Sequence, residues 1–398
     1  MKRLLVLLSL IVITLSAFAA IHSNDLGELD PGTGKSIVDM HVHVAGLGYG
    51  DSGCFINAGM RNNVRFPFYL WAMDVTEEEL RQHGDRLMLD RLSNRIAASE
   101  TVDKAVILAM DGYVTEAGVL DKDQTQIYVP NDYVARETAR FDNLIYGASV
   151  NPNREDAIER LRAARRDGAV LVKWIPSIMN IDPADPRHLP FYRVMAELGI
   201  PLLTHTGMEK SFANARDELA DPLRLRVPLE QGVTVIAAHI ATTGENEGQD
   251  NFERIMPLFT EFPNLYVDIS SLTQINKLGY LAQALEIAGL TDRMLYGTDW
   301  PLQFFPLISS WYHLNHIGVG DAWQVSGIAN KWDQDVALKV AFGVPEDVFR
   351  RAGTLLNIAH KESDRVGRVS VQSDNPAQPP PPVLQSPGLA WQPLGSWR

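Results

Sequence analysis

Apolar residues alternate with Asp39, His41 and His43 along Val38–Val44, the period-two pattern of a strand with one greasy and one polar face. Seven further short apolar runs follow, at Lys104–Met110, Leu144–Val150, Ala169–Ile175, Pro201–His205, Val233–Ala238, Leu265–Ile269 and Arg293–Tyr296. Helical patterns separate most of them. Thr76 and Glu79 make a capping box that opens a helix predicted to last to about Glu100. In Arg154–Asp167, Ala157, Ile158, Leu161 and Ala164 form an apolar stripe, and Gly168 stops it. Phe191–Leu198 ends at Gly199, Phe252–Phe262 ends before Pro263, and Pro345–His360 closes the series. Near-continuous apolar strands divided by helices imply a parallel sheet covered on both faces. Eight strand–helix units predict an α/β fold closed as a (β/α)8 TIM barrel, rather than an open doubly wound sheet.

Three stretches break this rhythm. Ala45 to Met73 holds AGLGYGDSGC and then Phe55, Phe66, Phe68, Tyr69 and Trp71, an irregular insertion after the first strand of the length that usually carries function. Residues 1–20 resemble an export signal, with Lys2 and Arg3 before the apolar Leu4 to Leu15 and a small-x-small site at Ala17–Ala19. An uncleaved membrane anchor is the rival reading, since the apolar run reaches Ile21. Cleavage would deliver a periplasmic or secreted protein with no stable membrane insertion. The barrel domain is placed at residues 32–362, and residues 363–398, with their QPPPPV run, read as a disordered tail.

Of the 398 residues, 45% are hydrophobic and 21% charged, an ordinary composition for a globular chain with a large core. The 49 acidic residues outnumber 36 basic ones for a net charge of −13, which repels nucleic acid. The expected partner is a small-molecule substrate, with a homodimer as the default assembly. The single cysteine, Cys54, excludes an internal disulfide and reads as an incidental loop thiol more readily than a nucleophile.

Candidate chemistry sits at the strand ends. His41 and His43 share one face of the first strand, one pleat apart, which suits a divalent cation or, alternatively, two half-exposed edge histidines. The fourth strand carries Lys173, the fifth ends at His205, the sixth runs into His239 and the eighth into Asp299 of YGTDWP. Singly, each has a local explanation: His205 or His239 bonded to loop backbone, Asp299 as a cap, Lys173 reaching solvent along its stem. Jointly they converge on the C-terminal mouth of a barrel. Three or four imidazoles with one carboxylate are a ligand set for zinc or a similar transition metal.

The run HVH, VKW, THTG, AAHI and YGTDWP resembles the amidohydrolase superfamily, and within it the amidohydrolase-related branch of metal-dependent barrel hydrolases and decarboxylases. The resemblance spans about Ile37 to Asn357. It implies one or two divalent metals held by His41, His43 and Asp299, with His205 a ligand or a substrate contact. It also implies that Asp299 takes a proton from the activated water. His239 is suited to hold a substrate carbonyl or stabilise an oxyanion, and otherwise joins the ligands. Lys173 is either a carboxylated bridge between two metals or an unmodified substrate contact. The expected reaction is hydrolysis of an amide, ester or lactone bond, with decarboxylation of a small aromatic or unsaturated acid, or a non-catalytic metal-holding protein, as alternatives.

Overall fold

A computed structural model describes residues 37–64 and 66–358. All of them fall within one compact unit. The expected export signal at 1–20 and tail at 363–398 lie outside the described residues. Among the described residues, no helix is long and apolar enough to cross a membrane.

The expected strands all form: β1 (Val38–His43), β2 (Lys104–Leu108), β3 (Leu144–Gly147), β4 (Val172–Trp174), β5 (Leu202–Thr204), β6 (Val235–Ala237), β7 (Leu265–Asp268) and β8 (Met294–Leu295). Strands β1 to β3 pair in order, as do β4 to β8, and every pair is parallel. Parallel bridges from Ala148 to Val172 and from Val42 to Trp300 join the two groups at both seams. The ring is therefore closed in sequence order. Helices follow the strands as α1 (Leu87–Ala97), α2 (Asn131–Thr138), α3 (Ala157–Arg166), α4 (Leu189–Leu198), α5 (Arg226–Glu230), α6 (Asn251–Glu261), α7 (Tyr280–Glu286) and α8 (Glu346–Leu355).

Two apolar layers hold this arrangement. Val38, Met40, Val106, Leu108, Leu203, Ile236 and Leu295 make one buried cluster drawn from β1, β2, β5, β6 and β8, joined by Ala352 of α8 and by Leu356 and Ile358 beyond it. A larger cluster packs strand residues such as Val42, Ile107, Val172, Val235 and Val267 against helix residues such as Leu92, Leu161, Met195, Ile255 and Phe349. Adjacent strand residues thus serve opposite layers, which is why the strands read as near-continuous apolar runs.

Two expectations change. The helix opened by Thr76 stops at His83, because Gly84 at φ 77° breaks it before α1 begins; the capping box itself is intact. The insertion is also not irregular. Phe55–Ile56 pairs antiparallel with Ile127–Tyr128, and short helices form at Ala58–Arg61 and Phe66–Ala72. Elements of two to seven residues carry too little periodicity to be read from a pattern.

Candidate metal centre and active-site cleft

The site begins at an irregularity in β1. Its pairing with β2 slips between Asp39 and Val42, the signature of a bulge, and such bulges re-aim side chains. Gly297 allows the next step: a Cβ there would sit 2.9 Å from the Cβ of His41. That close approach lets the Asp299 amide donate to the His41 carbonyl at 2.9 Å. Asp39 secures the same corner, accepting from the Thr298 amide (3.0 Å), the Thr298 hydroxyl (2.6 Å) and the Trp332 indole (2.8 Å).

Three donors converge as a result. His41 Nε2 lies 3.1 Å from His43 Nε2, and each lies 3.3 Å from Asp299 Oδ1. Ligands about 2.1 Å from a common ion are spaced roughly 3.0 Å apart on an octahedron and 3.4 Å on a tetrahedron. The triangle therefore fits one divalent cation and does not single out zinc.

The protonation states agree with that fit. Asp268, fully buried at the end of β7, places Oδ2 2.7 Å from His41 Nδ1. A carboxylate at that position keeps the proton on Nδ1 and leaves Nε2 bare, as a ligand must be. Burial lowers the imidazole pKa values, His43 to about 4 and His205 to about 3, so these rings are neutral. Burial pushes the Asp299 carboxyl up, but the neighbouring His41 and His43 outweigh it and hold the carboxyl well below the usual carboxylate range.

His239 also lines the cleft beside Asp299. Its Nδ1 lies 3.0 Å from the Ser270 carbonyl, an acceptor only, so Nδ1 carries the proton. Nε2 is then bare, 3.9 Å from Asp299 Oδ2. A bare nitrogen there can act as a ligand or accept a proton. His239, Ile240 and Ala241 all take left-handed φ near 55°, as does Asp299 at 64°. Such strain collects at functional sites and needs outside support. Asp268 Oδ1 supplies it by accepting the His239 amide at 2.9 Å.

Lys173 and His205 also reach the site. Lys173 Nζ is 2.9 Å from His41 Nε2 and buried, and burial depresses its pKa to about 8. His205 Nε2 is buried with no hydrogen bond and sits 3.5 Å from Glu209 Oε2. The structure thus brings together all six sequence-selected residues: His41, His43, Lys173, His205, His239 and Asp299.

The family model described as Amidohydrolase matches residues 38–321, well over half of the chain. The chain belongs to the amidohydrolase family. No curated protein matches its sequence. Similar solved structures include an uncharacterized Tim-barrel protein from Bordetella bronchiseptica, 20% identical, covering 80% of this chain and 99% of its own, with a TM-score of 0.49. Another is a probable 2-pyrone-4,6-dicarboxylic acid hydrolase from Acinetobacter baumannii, 14% identical, covering 81% and 99%, with a TM-score of 0.47. A third is a 5-carboxyvanillate decarboxylase from Novosphingobium aromaticivorans with bound manganese, 13% identical, covering 83% and 98%, with a TM-score of 0.43.

The amidohydrolase site opens into a cleft at whose base His43, Lys173, His205, His239 and Asp299 meet. The insertion supplies its apolar wall through Ile56, Met60, Phe66, Tyr69, Leu70 and Met73. Sequence reasoning missed four polar residues of this site. Asp268 and Ser270 hold the two histidines, with the Ser270 hydroxyl donating to Asp268 Oδ1 at 2.5 Å. Ser271 donates its hydroxyl to Asp299 Oδ2 at 2.6 Å, which orients the carboxylate and leaves that oxygen a second lone pair. Lys277 lines the cleft as well. Cys54 is buried and its thiol is pushed up to about 12 by burial, which removes it as a nucleophile.

Proposed function

We propose that this amidohydrolase is a metal-dependent hydrolase that cleaves an amide, ester or lactone bond of a small molecule. The observation that carries the reading is Asp299, ionised at the cleft floor with Oδ1 equidistant from His41 Nε2 and His43 Nε2. His41, His43 and Asp299, with His205 or a carboxylated Lys173 completing the set, would hold a divalent ion, which when bound would act as a Lewis acid toward a carbonyl and toward water.

The protein's own part is positioning and proton transfer. Asp299 accepts the proton of the attacking water as oxygen adds to the carbonyl carbon. It then returns that proton to the departing nitrogen or oxygen as the scissile bond breaks, so the step balances without a further reactant. Ser271 steadies Asp299 through Oδ2, and Asp268 fixes the His41 tautomer. The apolar wall of the insertion excludes water and strengthens these polar contacts.

Two cationic side chains on the cleft, Lys173 and Lys277, favour a second reading, decarboxylation of a small aromatic or unsaturated acid. One experiment separates the two. Metal-loaded protein is offered lactones, amides, esters and aromatic acids, with acid release and carbon dioxide release followed together. Ring or ester opening supports the hydrolase, and carbon dioxide without acid release refutes it.

A further inference from the structure

Lys277 lies on a short turn, Ile275–Lys277, in the loop after β7. That turn is pinned, because the Ile275 amide donates to the Leu307 carbonyl at 2.8 Å and Gln274 bridges Ile308. The side chain is only 7% exposed, yet it lines the same cleft as Asp299 and His239. Among the described residues its ammonium makes no hydrogen bond or ion pair. Glu209, an acid on the same wall, is already engaged: it accepts the Ser211 amide at 2.6 Å and approaches His205. The stem is buried while the ammonium is open to the cleft without a bonded partner, so an anion entering the cleft can pair with it at little further desolvation cost.

The surroundings narrow the anion. Met60, Phe66, Tyr69, Leu70, Met73 and Phe212 form an apolar wall of the cleft, so the part of the ligand against that wall is apolar. We infer that Lys277 is a specificity-determining residue that binds a carboxylate on a small, largely apolar substrate. This rests on the cleft being the substrate site of the proposed hydrolase, and it adds the group by which that substrate is chosen. The carboxylate is a handle, distinct from the bond that Asp299 helps to break.

The test is a calorimetric titration of metal-loaded protein with benzoate and with benzamide, which match in shape and differ in charge. Wild-type protein should bind benzoate at least about tenfold more tightly than benzamide, the size expected of a charge-assisted hydrogen bond in a buried site. Lys277→Met should remove that preference, and Lys277→Arg should retain it. Equal binding of the two probes by wild type, or an undiminished preference in Lys277→Met, overturns the assignment. Should Lys277→Met fail to fold, the wild-type comparison and Lys277→Gln decide. No turnover is read in these titrations. A failed hydrolase assay therefore leaves the carboxylate result standing, and a lost benzoate preference leaves the hydrolase open.

Discussion

Asp268→Asn probes the least visible part of the site. Asp268 accepts on both oxygens: Oδ2 from His41 Nδ1, and Oδ1 from the His239 amide, the Ser270 amide and the Ser270 hydroxyl. Asparagine has the same shape but only one acceptor oxygen. If its oxygen keeps the amides of His239 and Ser270, its NH2 group faces His41 Nδ1. The imidazole must then move its proton to Nε2, which destroys the ligand. If the amide flips, three donors meet a donor instead. The first arrangement costs less, so it should prevail. Losing one buried charge-assisted hydrogen bond should destabilise the metal-stripped protein by about 1.5–3 kcal/mol. Metal affinity should fall about 10–100-fold, the usual effect of removing an orienting carboxylate. Competitive titration against a metal indicator measures the affinity, and denaturant unfolding of chelated protein measures the stability. Wild-type metal affinity in a folded mutant would refute the tautomer argument.

Three further outcomes are expected. Lys173→Ala should lower the metal count from about two ions per chain to one or none if Lys173 is a carboxylated bridge, as its depressed pKa of about 8 favours; one ion in both proteins by elemental analysis would assign it to the substrate instead. Metal-stripped protein should lose stability as pH falls from about 6.5 toward 3, because unfolded histidines take up protons that folded His43 and His205 resist until about 4 and about 3; unfolding curves that superimpose across that range would contradict this. We also propose export with cleavage after Ala19, so N-terminal sequencing of periplasmic protein should begin near Ala20, whereas an intact Met1 in the membrane fraction would establish the anchor.

The barrel was legible because each strand serves two apolar layers, which leaves short apolar runs, and these alternate with longer helical patterns along the chain. His41 and His43 were legible as two imidazoles on one face of β1, and His205, His239 and Asp299 because they recur at successive strand ends. Asp268 obeys the same strand-end rule, within LYVDISS, and could have been found by applying it to β7. Ser271 carries no such mark, since a serine after a strand is the commonest of turn residues. Lys277 was hidden more deeply. It stands nine residues beyond the end of β7, on a turn whose position depends on the distant Leu307–Ile308 segment. The bulge in β1 was also out of reach, because it arises from pairing between strands and leaves no pattern within one.

The central claim is that Asp299 moves the proton while it helps hold the metal. The most direct measurement is kcat for Asp299→Asn on the first lactone, amide or ester found to turn over, with metal content determined on the same sample. The amide keeps the shape and one ligand oxygen, so the protein should fold and retain metal. Loss of general base catalysis should lower kcat by about two or more orders of magnitude, and the acidic limb of the pH–rate profile should change with it. A metal-loaded mutant with near wild-type kcat would place the base elsewhere and contradict the account.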